Sequence, residues 1–173
     1  MDKRRNLATE SGLYAFDVFE ILLNYEISRV KRYPSPLTLL HVSLVASEYS
    51  GELKRQAHEA MTGLLNRTLR VSDVPAHFHD EYLILLPATE EVGGRAVAER
   101  LLASFRTTQS LATGRLSRRR NAFLGLTAHN GSSLLSSQQL LAEAAAAMND
   151  ARQRQSYTYV AYSDIASQVS PSP

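Results

Sequence analysis

Four side chains that can bind metals or transfer protons lie within five positions of one another, at His77, His79, Asp80 and Glu81. Imidazoles and carboxylates are common metal ligands, and both also act as general acids and bases. The stretch reads as the tip of a β-hairpin, and a single hairpin supplies only one side of a coordination sphere. We therefore favour a solvated hairpin tip over a metal site.

A second candidate site precedes this stretch, where Arg70 and Asp73 form an Arg-x-x-Asp pattern. A guanidinium group can pair with anionic oxygens, and a carboxylate can accept hydrogen bonds from N–H groups. The same residues also suit a plain helix end, since a cation stabilises the C-terminus of a helix and an aspartate can cap a turn. Both interpretations remain open.

A third cluster is basic and comprises Arg115, Arg118, Arg119 and Arg120, in a predicted loop over residues 109–121. Such a cluster could contact nucleic acid or an acidic partner. The aromatic residues that would stack on single-stranded bases are not interleaved with the arginines. A solvated loop is therefore the favoured interpretation, and nucleic-acid binding is disfavoured.

The composition is that of an ordinary globular domain. The chain has 173 residues and a mass of 19.2 kDa, with 44% hydrophobic residues, 21% charged residues and a formal net charge of +2. The absence of cysteine excludes disulfides, thiolate zinc sites and cysteine nucleophiles. Apolar runs are only strand-sized and no signal-peptide pattern follows the basic N-terminus, so we expect one cytoplasmic domain without a membrane span.

Hydrophobic periodicity and turn residues predict one domain over residues 9–162, between a polar lead-in at 1–8 and a flexible tail at 163–173. Helices are predicted over 11–32, 52–69, 89–107 and 136–154, and strands over 37–44, 76–79, 82–87, 122–129 and 157–162. The middle of this order is βαββαβ, a ferredoxin-like core, with an added N-terminal helix and a C-terminal helix and strand. The predicted fold class is α/β (α+β), with helices on both faces of one sheet.

Four segments resemble, in order, the motifs of GGDEF domains, the diguanylate cyclases. Residues 80–87 are similar to the signature hairpin of that family and to the apolar strand that follows it. Residues 11–14 resemble its Leu-Thr-Gly-Leu opening, 123–128 its Ser-Ile-Gly-Val-Ala strand, and 144–152 its Ala-Asp-x-Ala-Leu-Tyr-x-Ala-Lys helix. The resemblance covers about residues 8–162 and implies the cyclase-like fold.

The signature hairpin departs from the family pattern where that family binds GTP. In this chain the hairpin consists of Phe78, His79, Asp80, Glu81 and Tyr82. Phe78 and His79 replace two glycines, which in the family let the backbone approach the nucleotide because no Cβ intrudes. A phenyl ring and an imidazole at these positions should block that approach.

The metal and phosphate ligands of the family are also replaced. Its first core strand ends in Asp-x-Asp, whose first carboxylate helps to hold magnesium, and the aligned run here is His41-Val42-Ser43. Imidazole is a poor ligand for this hard cation. The family's Lys and Asn beyond that strand have no counterpart in residues 44–51. Phosphoryl transfer depends on positioning and charge neutralisation, so the departures imply a degenerate domain without cyclase activity, metal or cofactor.

By the same resemblance, Arg70 and Asp73 match the family's Arg-x-x-Asp inhibitory site, which binds the product cyclic di-GMP. The spacing from Asp73 to Phe78 is one residue shorter than the family's usual spacing. We therefore hypothesise an inactive signalling domain that binds cyclic di-GMP through Arg70 and Asp73 and acts on another signalling protein. The basic loop at 115–120 could supply a further arginine to this ligand.

Two other functions remain open. The chain could be a protein-interaction or dimerisation module that binds no ligand. The small residues of Ala142–Ala147 suit close helix packing or a homodimer contact, although helix propensity alone explains them. The chain could also be a residual diguanylate cyclase that uses Asp80 and Glu81.

Overall fold

The computed structural model describes residues 12–46, 51–111, 120–131, 136–154 and 158–169. The strands are β1 (Tyr14–Ala15), β2 (Leu37–Ala46), β3 (Val74–Phe78), β4 (Glu81–Pro87), β5 (Arg120–His129) and β6 (Thr158–Ala161). The helices are α1 (Phe16–Arg32), α2 (Gly51–Thr68), α3 (Glu91–Leu111), α4 (Ser137–Gln153) and α5 (Tyr162–Val169). None of these helices is both long enough and apolar enough to cross a membrane.

The strands form one sheet in the order β1-β3-β4-β2-β5-β6. Strand β2 pairs antiparallel with β4 and β5, and β3 pairs antiparallel with β4. The edge strands β1 and β6 pair in parallel with β3 and β5. The inner four strands have the ferredoxin-like arrangement, so the predicted fold class is confirmed.

Each face of the sheet carries its own hydrophobic core. On one face, α2 and α3 cover the even-numbered side chains of the central strands, among them Leu40, Ile84 and Leu124. On the other face, α1 and α4 cover odd-numbered side chains such as Leu39, Leu83 and Leu85. Because side chains alternate along a strand, an odd-numbered polar residue in β2 or β4 faces α1 and α4.

The N-terminal helix begins later than the predicted Ser11. Leu13 fits the helical spacing but is buried in the α2–α3 core, whereas Phe19 and Leu23 lie in the α1–α4 core. The chain therefore passes the edge of the sheet before the helix starts. Tyr14 and Ala15 pair with β3 at that point, and α1 begins at Phe16.

Residues 162–169 form helix α5, where the sequence analysis predicted a flexible tail from residue 163. Tyr162 and Ile165 pack against a small cluster that includes Phe123 and Val160. Arg95 of α3 donates a hydrogen bond to Asp164 at 2.7 Å. Apolar burial and an ion pair between α3 and α5 thus fix this segment against the domain, although its composition alone is typical of a flexible tail.

Helix α3 extends to Leu111 and β5 starts at Arg120, so regular elements occupy both ends of the loop predicted over residues 109–121. Arg115, Arg118 and Arg119 lie outside the described residues, as does the side chain of Arg120. Their predicted role as a partner-binding or ligand-binding cluster stays a prediction.

The small residues of α4 allow this helix to lie directly on β5. A Cβ added to Gly125 would stand 2.2 Å from the carbonyl oxygen of Ala144 and 2.2 Å from the amide nitrogen of Met148. Ala144 and Ala147 are fully buried in the contact. Of the two explanations for the small residues, close packing inside the domain applies to Ala144 and Ala147, while Ala142 and Ala146 are exposed.

Substituting Gly125→Ala should destabilise the fold by about 3 kcal/mol, because both clashing atoms belong to the backbone and cannot move aside. The matched control is Gly63→Ala in α2, where the added Cβ meets only the end of the Arg67 side chain at 3.3 Å. That variant should gain about 0.5–1 kcal/mol from helix propensity. Urea denaturation measures both, and equal stability of the two variants would contradict the close contact.

Candidate functional site

The signature hairpin closes through a two-residue turn. Phe78 and Glu81 are paired across β3 and β4, and His79 and Asp80 form the turn between them. The backbone of His79 has φ 53, a left-handed conformation that glycine adopts without strain. The backbone at position 79 therefore has a geometry suited to glycine, although the residue is histidine.

Phe78 does not point into solvent. Its ring lies 4.5 Å from the ring of Phe16 in α1, centroid to centroid, and 4.6 Å from the imidazole of His79. Phe78 therefore packs on the first turn of α1, and the exposed ring of His79 lies against Phe78. That Phe78 and His79 obstruct a nucleotide stays a prediction.

Glu81 is the centre of a polar cluster on the α1–α4 face. Its Oε2 accepts a hydrogen bond from His41 Nε2 at 2.6 Å, and its Oε1 accepts one from Arg152 Nη2 at 2.5 Å. Arg152 Nη2 also donates to Ser43 Oγ at 2.5 Å. We call these four residues, His41, Ser43, Glu81 and Arg152, the Glu81 cluster.

The elements around the cluster explain its assembly. His41 and Ser43 project from alternate positions of β2, and the register sets Ser43 directly opposite Glu81. Arg152 comes from the last turn of α4, which lies close to the sheet because of Gly125. Sequence reasoning compared His41 and Ser43 with metal-binding positions and placed Arg152 at the last position of the 144–152 motif, but it did not predict the contact of Arg152 with Glu81, 71 residues away.

Burial controls the charge of His41, which is only 6% exposed. Desolvation lowers the pKa of His41 below its ordinary value of 6.5, and the Arg152 cation adds to this, while Glu81 opposes it. Nε2 donates to Glu81, so the neutral ring leaves Nδ1 as a buried acceptor without a hydrogen-bond partner. The cluster therefore contains one carboxylate, one guanidinium and a neutral imidazole.

Because the charges in the Glu81 cluster already balance, the cluster is a poor binding site for a metal ion. The guanidinium of Arg152 provides the positive charge beside Glu81, and a divalent cation placed there would be repelled by it. Neither the imidazole nor the hydroxyl of the cluster adds a negative ligand. The arrangement can hold the hairpin against α4, but it does not offer the oxygen-rich cage that magnesium requires.

The histidines of the hairpin are not brought together as a metal site. His77 lies on the opposite face of the sheet, where its ring is 4.5 Å from that of His58 in α2. His58 Nδ1 is 2.9 Å from the hydroxyl of the buried Tyr82. Within the described residues no group of three or more His, Asp or Glu side chains could hold a metal ion.

The Arg-x-x-Asp pattern forms a compact turn after α2. Asp73 Oδ2 accepts the backbone N–H of Arg70 at 2.8 Å, and the backbone N–H of Asp73 donates to the Arg70 carbonyl at 3.1 Å. Burial raises the pKa of Asp73, although the hydrogen bond from the Arg70 backbone and the charges of Arg70 and Arg100 oppose this. The turn-capping interpretation of Asp73 is therefore confirmed, and the side chain of Arg70 is exposed beside the turn.

A second arginine joins this turn from a different helix. Arg100 of α3 donates from Nη2 to the carbonyl oxygen of Thr68 at 3.1 Å, at the C-terminus of α2. Arg100 is exposed, and its charge acts on Asp73. Sequence reasoning looked for a further arginine in the loop at 115–120, because Arg100 reads as an ordinary charge on an amphipathic helix.

The Arg70 turn and the hairpin turn lie at opposite ends of β3. The strand has five residues, so about 16 Å of backbone separates them. The two turns are therefore separate sites. Beside the hairpin turn, charged side chains pair with one another, whereas the Arg70 turn is exposed and basic.

Solved structures that are similar to this chain include diguanylate cyclases and GGDEF domains. The diguanylate cyclase SiaD of Pseudomonas aeruginosa, solved with its activator SiaC, matches with a TM-score of 0.74 at 21% identity over 92% of this chain and 63% of SiaD. The FimX GGDEF domain of the same organism matches with a TM-score of 0.74 at 16% identity, over 87% of this chain and 96% of that domain. DgcB of Caulobacter crescentus, in complex with cyclic di-GMP, gives 0.77 at 12% identity, over 91% and 87%.

The chain thus has the fold of GGDEF diguanylate cyclase domains, which confirms the fold that the sequence resemblance implied. No protein-family model matches the sequence, and no curated protein matches it. The chain spans 63% of the length of SiaD.

Acidification should destabilise the protein through His41. Since its pKa is lowered in the fold, the unfolded chain binds the proton more readily as the pH falls below about 6.5, and stability is lost by up to about 1.4 kcal/mol per pH unit in that window. His41→Gln keeps a donor for Glu81 but does not titrate, so its stability should fall less between pH 7.5 and 5.

Urea denaturation at a series of pH values makes this comparison, with His79→Gln at the exposed turn as the control. Glu143 contributes to acid sensitivity in all three proteins. Burial favours its protonated form, but hydrogen bonds from Thr127, His129 and Gln139 outweigh burial and lower its pKa. An identical pH slope in the wild type and His41→Gln would show that His41 is not held neutral.

Proposed function

We propose that this chain is a GGDEF-like signalling domain without cyclase activity, and that it binds cyclic di-GMP on the surface formed by Arg70 and Arg100. The observation that carries the proposal is the meeting of two exposed arginines from different elements at one turn. Guanidinium groups bind phosphate oxygens in pairs of hydrogen bonds and also bind the N7 and O6 edge of guanine. Cyclic di-GMP offers both kinds of group.

The contacts of Asp73 define its part in the proposed site. One carboxylate oxygen accepts the Arg70 N–H at 2.8 Å, and the other is 3.5 Å from the hydroxyl of Ser72. Asp73 is only 8% exposed, so its first effect is to fix the backbone from which Arg70 projects. The arginines, rather than the carboxylate, present the ligand-facing surface in this proposal.

Isothermal titration calorimetry with cyclic di-GMP tests the ligand. Wild-type protein should bind saturably, and Arg70→Ala and Arg100→Ala should each weaken binding at least tenfold, since a hydrogen bond to a charged group contributes about 1.5–3 kcal/mol. Arg154→Ala is the matched control, because this exposed arginine lies at the end of α4 and pairs with Asp150. Its affinity should equal that of the wild type.

Two results would contradict the receptor proposal. One is the absence of binding heat at millimolar ligand, which would leave the interaction module as the remaining function. The other is an unchanged affinity in both the Arg70 and Arg100 variants, which would place the ligand elsewhere on the protein.

The lack of cyclase activity is supported by the Glu81 cluster and by the packing of the turn. Catalysis of phosphoryl transfer needs charge neutralisation at the phosphates and an open approach for the nucleotide. In this chain Glu81 is engaged by Arg152 and His41. Phe78 fills the space beside Phe16, where a glycine would leave room.

Incubation with GTP and Mg²⁺ should therefore yield no cyclic di-GMP and no pyrophosphate above a blank without protein. Chromatography of the nucleotides after hours at high protein concentration makes the measurement, and Glu81→Ala is the companion variant. Product that forms with the wild type and disappears in Glu81→Ala would overturn the inactive assignment.

A further inference from the structure

The outward face of α1 is unusual for a helix that packs on a sheet. Its inward side buries Phe19, Leu23 and Val30. On the opposite side, Ile21 and Tyr25 are each 69% exposed, one helical turn apart. Single exposed apolar residues are common, but two that form an adjacent pair on a helix opposite its core are a candidate contact.

Charged residues on the exposed side of α1 are separated by sign along the helix. The acidic residues Asp17 and Glu20 lie at the N-terminal end, and the basic residues Lys31 and Arg32 lie at the C-terminal end; all four are exposed. Ile21 and Tyr25 lie between them. Asp17, Ile21, Tyr25, Ser28 and Arg32 follow at intervals of three and four residues, so they form one stripe on the helix.

We propose that this stripe, Asp17-Ile21-Tyr25-Ser28-Arg32, binds the same stripe of a second copy of the chain, with the two α1 helices antiparallel. A twofold axis between positions 24 and 25 sets Asp17 of each copy against Arg32 of the other. The same axis sets Ile21 against Ser28 and brings the two Tyr25 rings together at the centre. The surface is thus complementary to itself, which is what a twofold contact requires.

The charge pattern favours this occupant over others. A parallel arrangement would set acidic ends together and basic ends together, which is repulsive. An unrelated partner would have to match an acidic end, an apolar centre and a basic end in that order, and a second copy does so by symmetry. The ion pairs between exposed side chains add little energy, but they fix direction and register.

The small area of the proposed contact indicates a weak dimer. A helix of 17 residues is about 25 Å long, and one helix face against another falls at the small end of specific interfaces. We therefore expect a reversible dimer with a dissociation constant of about 100 µM. Binding of nucleotide is not required, so the contact is independent of the proposed cyclic di-GMP site.

Charge reversal tests the arrangement by sedimentation equilibrium without nucleotide, from 10 µM to 1 mM. Asp17→Arg alone and Arg32→Asp alone should each raise the dissociation constant at least tenfold, because like charges then meet at both ends. An equimolar mixture of the two variants should associate at least as tightly as the wild type, since opposite charges meet again. A monomeric wild type at 1 mM, or a mixture that stays monomeric, would overturn the proposal.

The apolar centre has its own matched pair of variants. Tyr25→Arg should abolish association, whereas Tyr33→Arg should leave it unchanged, because Tyr33 is equally exposed at 70% but lies off the stripe. The reverse result, or equal effects of the two variants, would show that this stripe is not the contact.

Cross-linking checks the register, and the chain contains no native cysteine that could interfere. A single cysteine from Asn24→Cys lies near the proposed axis and should form a disulfide dimer under mild oxidation. A single cysteine from Asp17→Cys faces residue 32 of the second copy and should remain uncross-linked unless Arg32→Cys is combined with it. Equal cross-linking of the two single variants would contradict the antiparallel register.

Discussion

The carboxylate of Glu81 is the point at which the hairpin, the central strand and helix α4 are joined. One oxygen binds His41 of β2, and the other binds Arg152 of α4. The Glu81 side chain is only 20% exposed. A carboxylate with so little exposure needs such partners, because an unpaired buried charge would be costly. Arg152 can reach it only because α4 lies against Gly125, where a side chain of any size would push the helix outward.

The charged side chains at the two ends of β3 are paired differently. At the hairpin end the charges satisfy one another, and aromatic rings occupy the remaining space. At the other end, Asp73 satisfies the backbone of the turn and the arginine side chains stay at the surface. Arg70 and Arg100 are exposed at the Arg70 turn, although the residues that first suggest chemistry lie at the hairpin.

Much of the fold follows from local sequence, whereas the key contacts do not. The apolar runs of β2 and β4 and the stripe of α1 are strong signals because burial alone dictates them. Helix α5 escaped prediction because it is short and is held by Arg95, 69 residues away from Asp164. Arg100 escaped for the same reason, because it is an ordinary surface charge until the packing of its helix decides what it contacts. Arg152 ends a motif that the sequence shows, but its partner Glu81 is 71 residues away.

A residue that is a poor metal ligand can still have a structural role, and His41 is an example. His41 is a poor magnesium ligand, which suggests a defect when only the sequence is considered. In the structure it is a buried donor to Glu81, and desolvation keeps it neutral, so it adds no second positive charge to the one on Arg152. A carboxylate at position 41 would face Glu81 at close range and would require a cation between them. His41 and Arg152 are thus the two partners of Glu81, and these contacts hold the hairpin to the sheet and to α4.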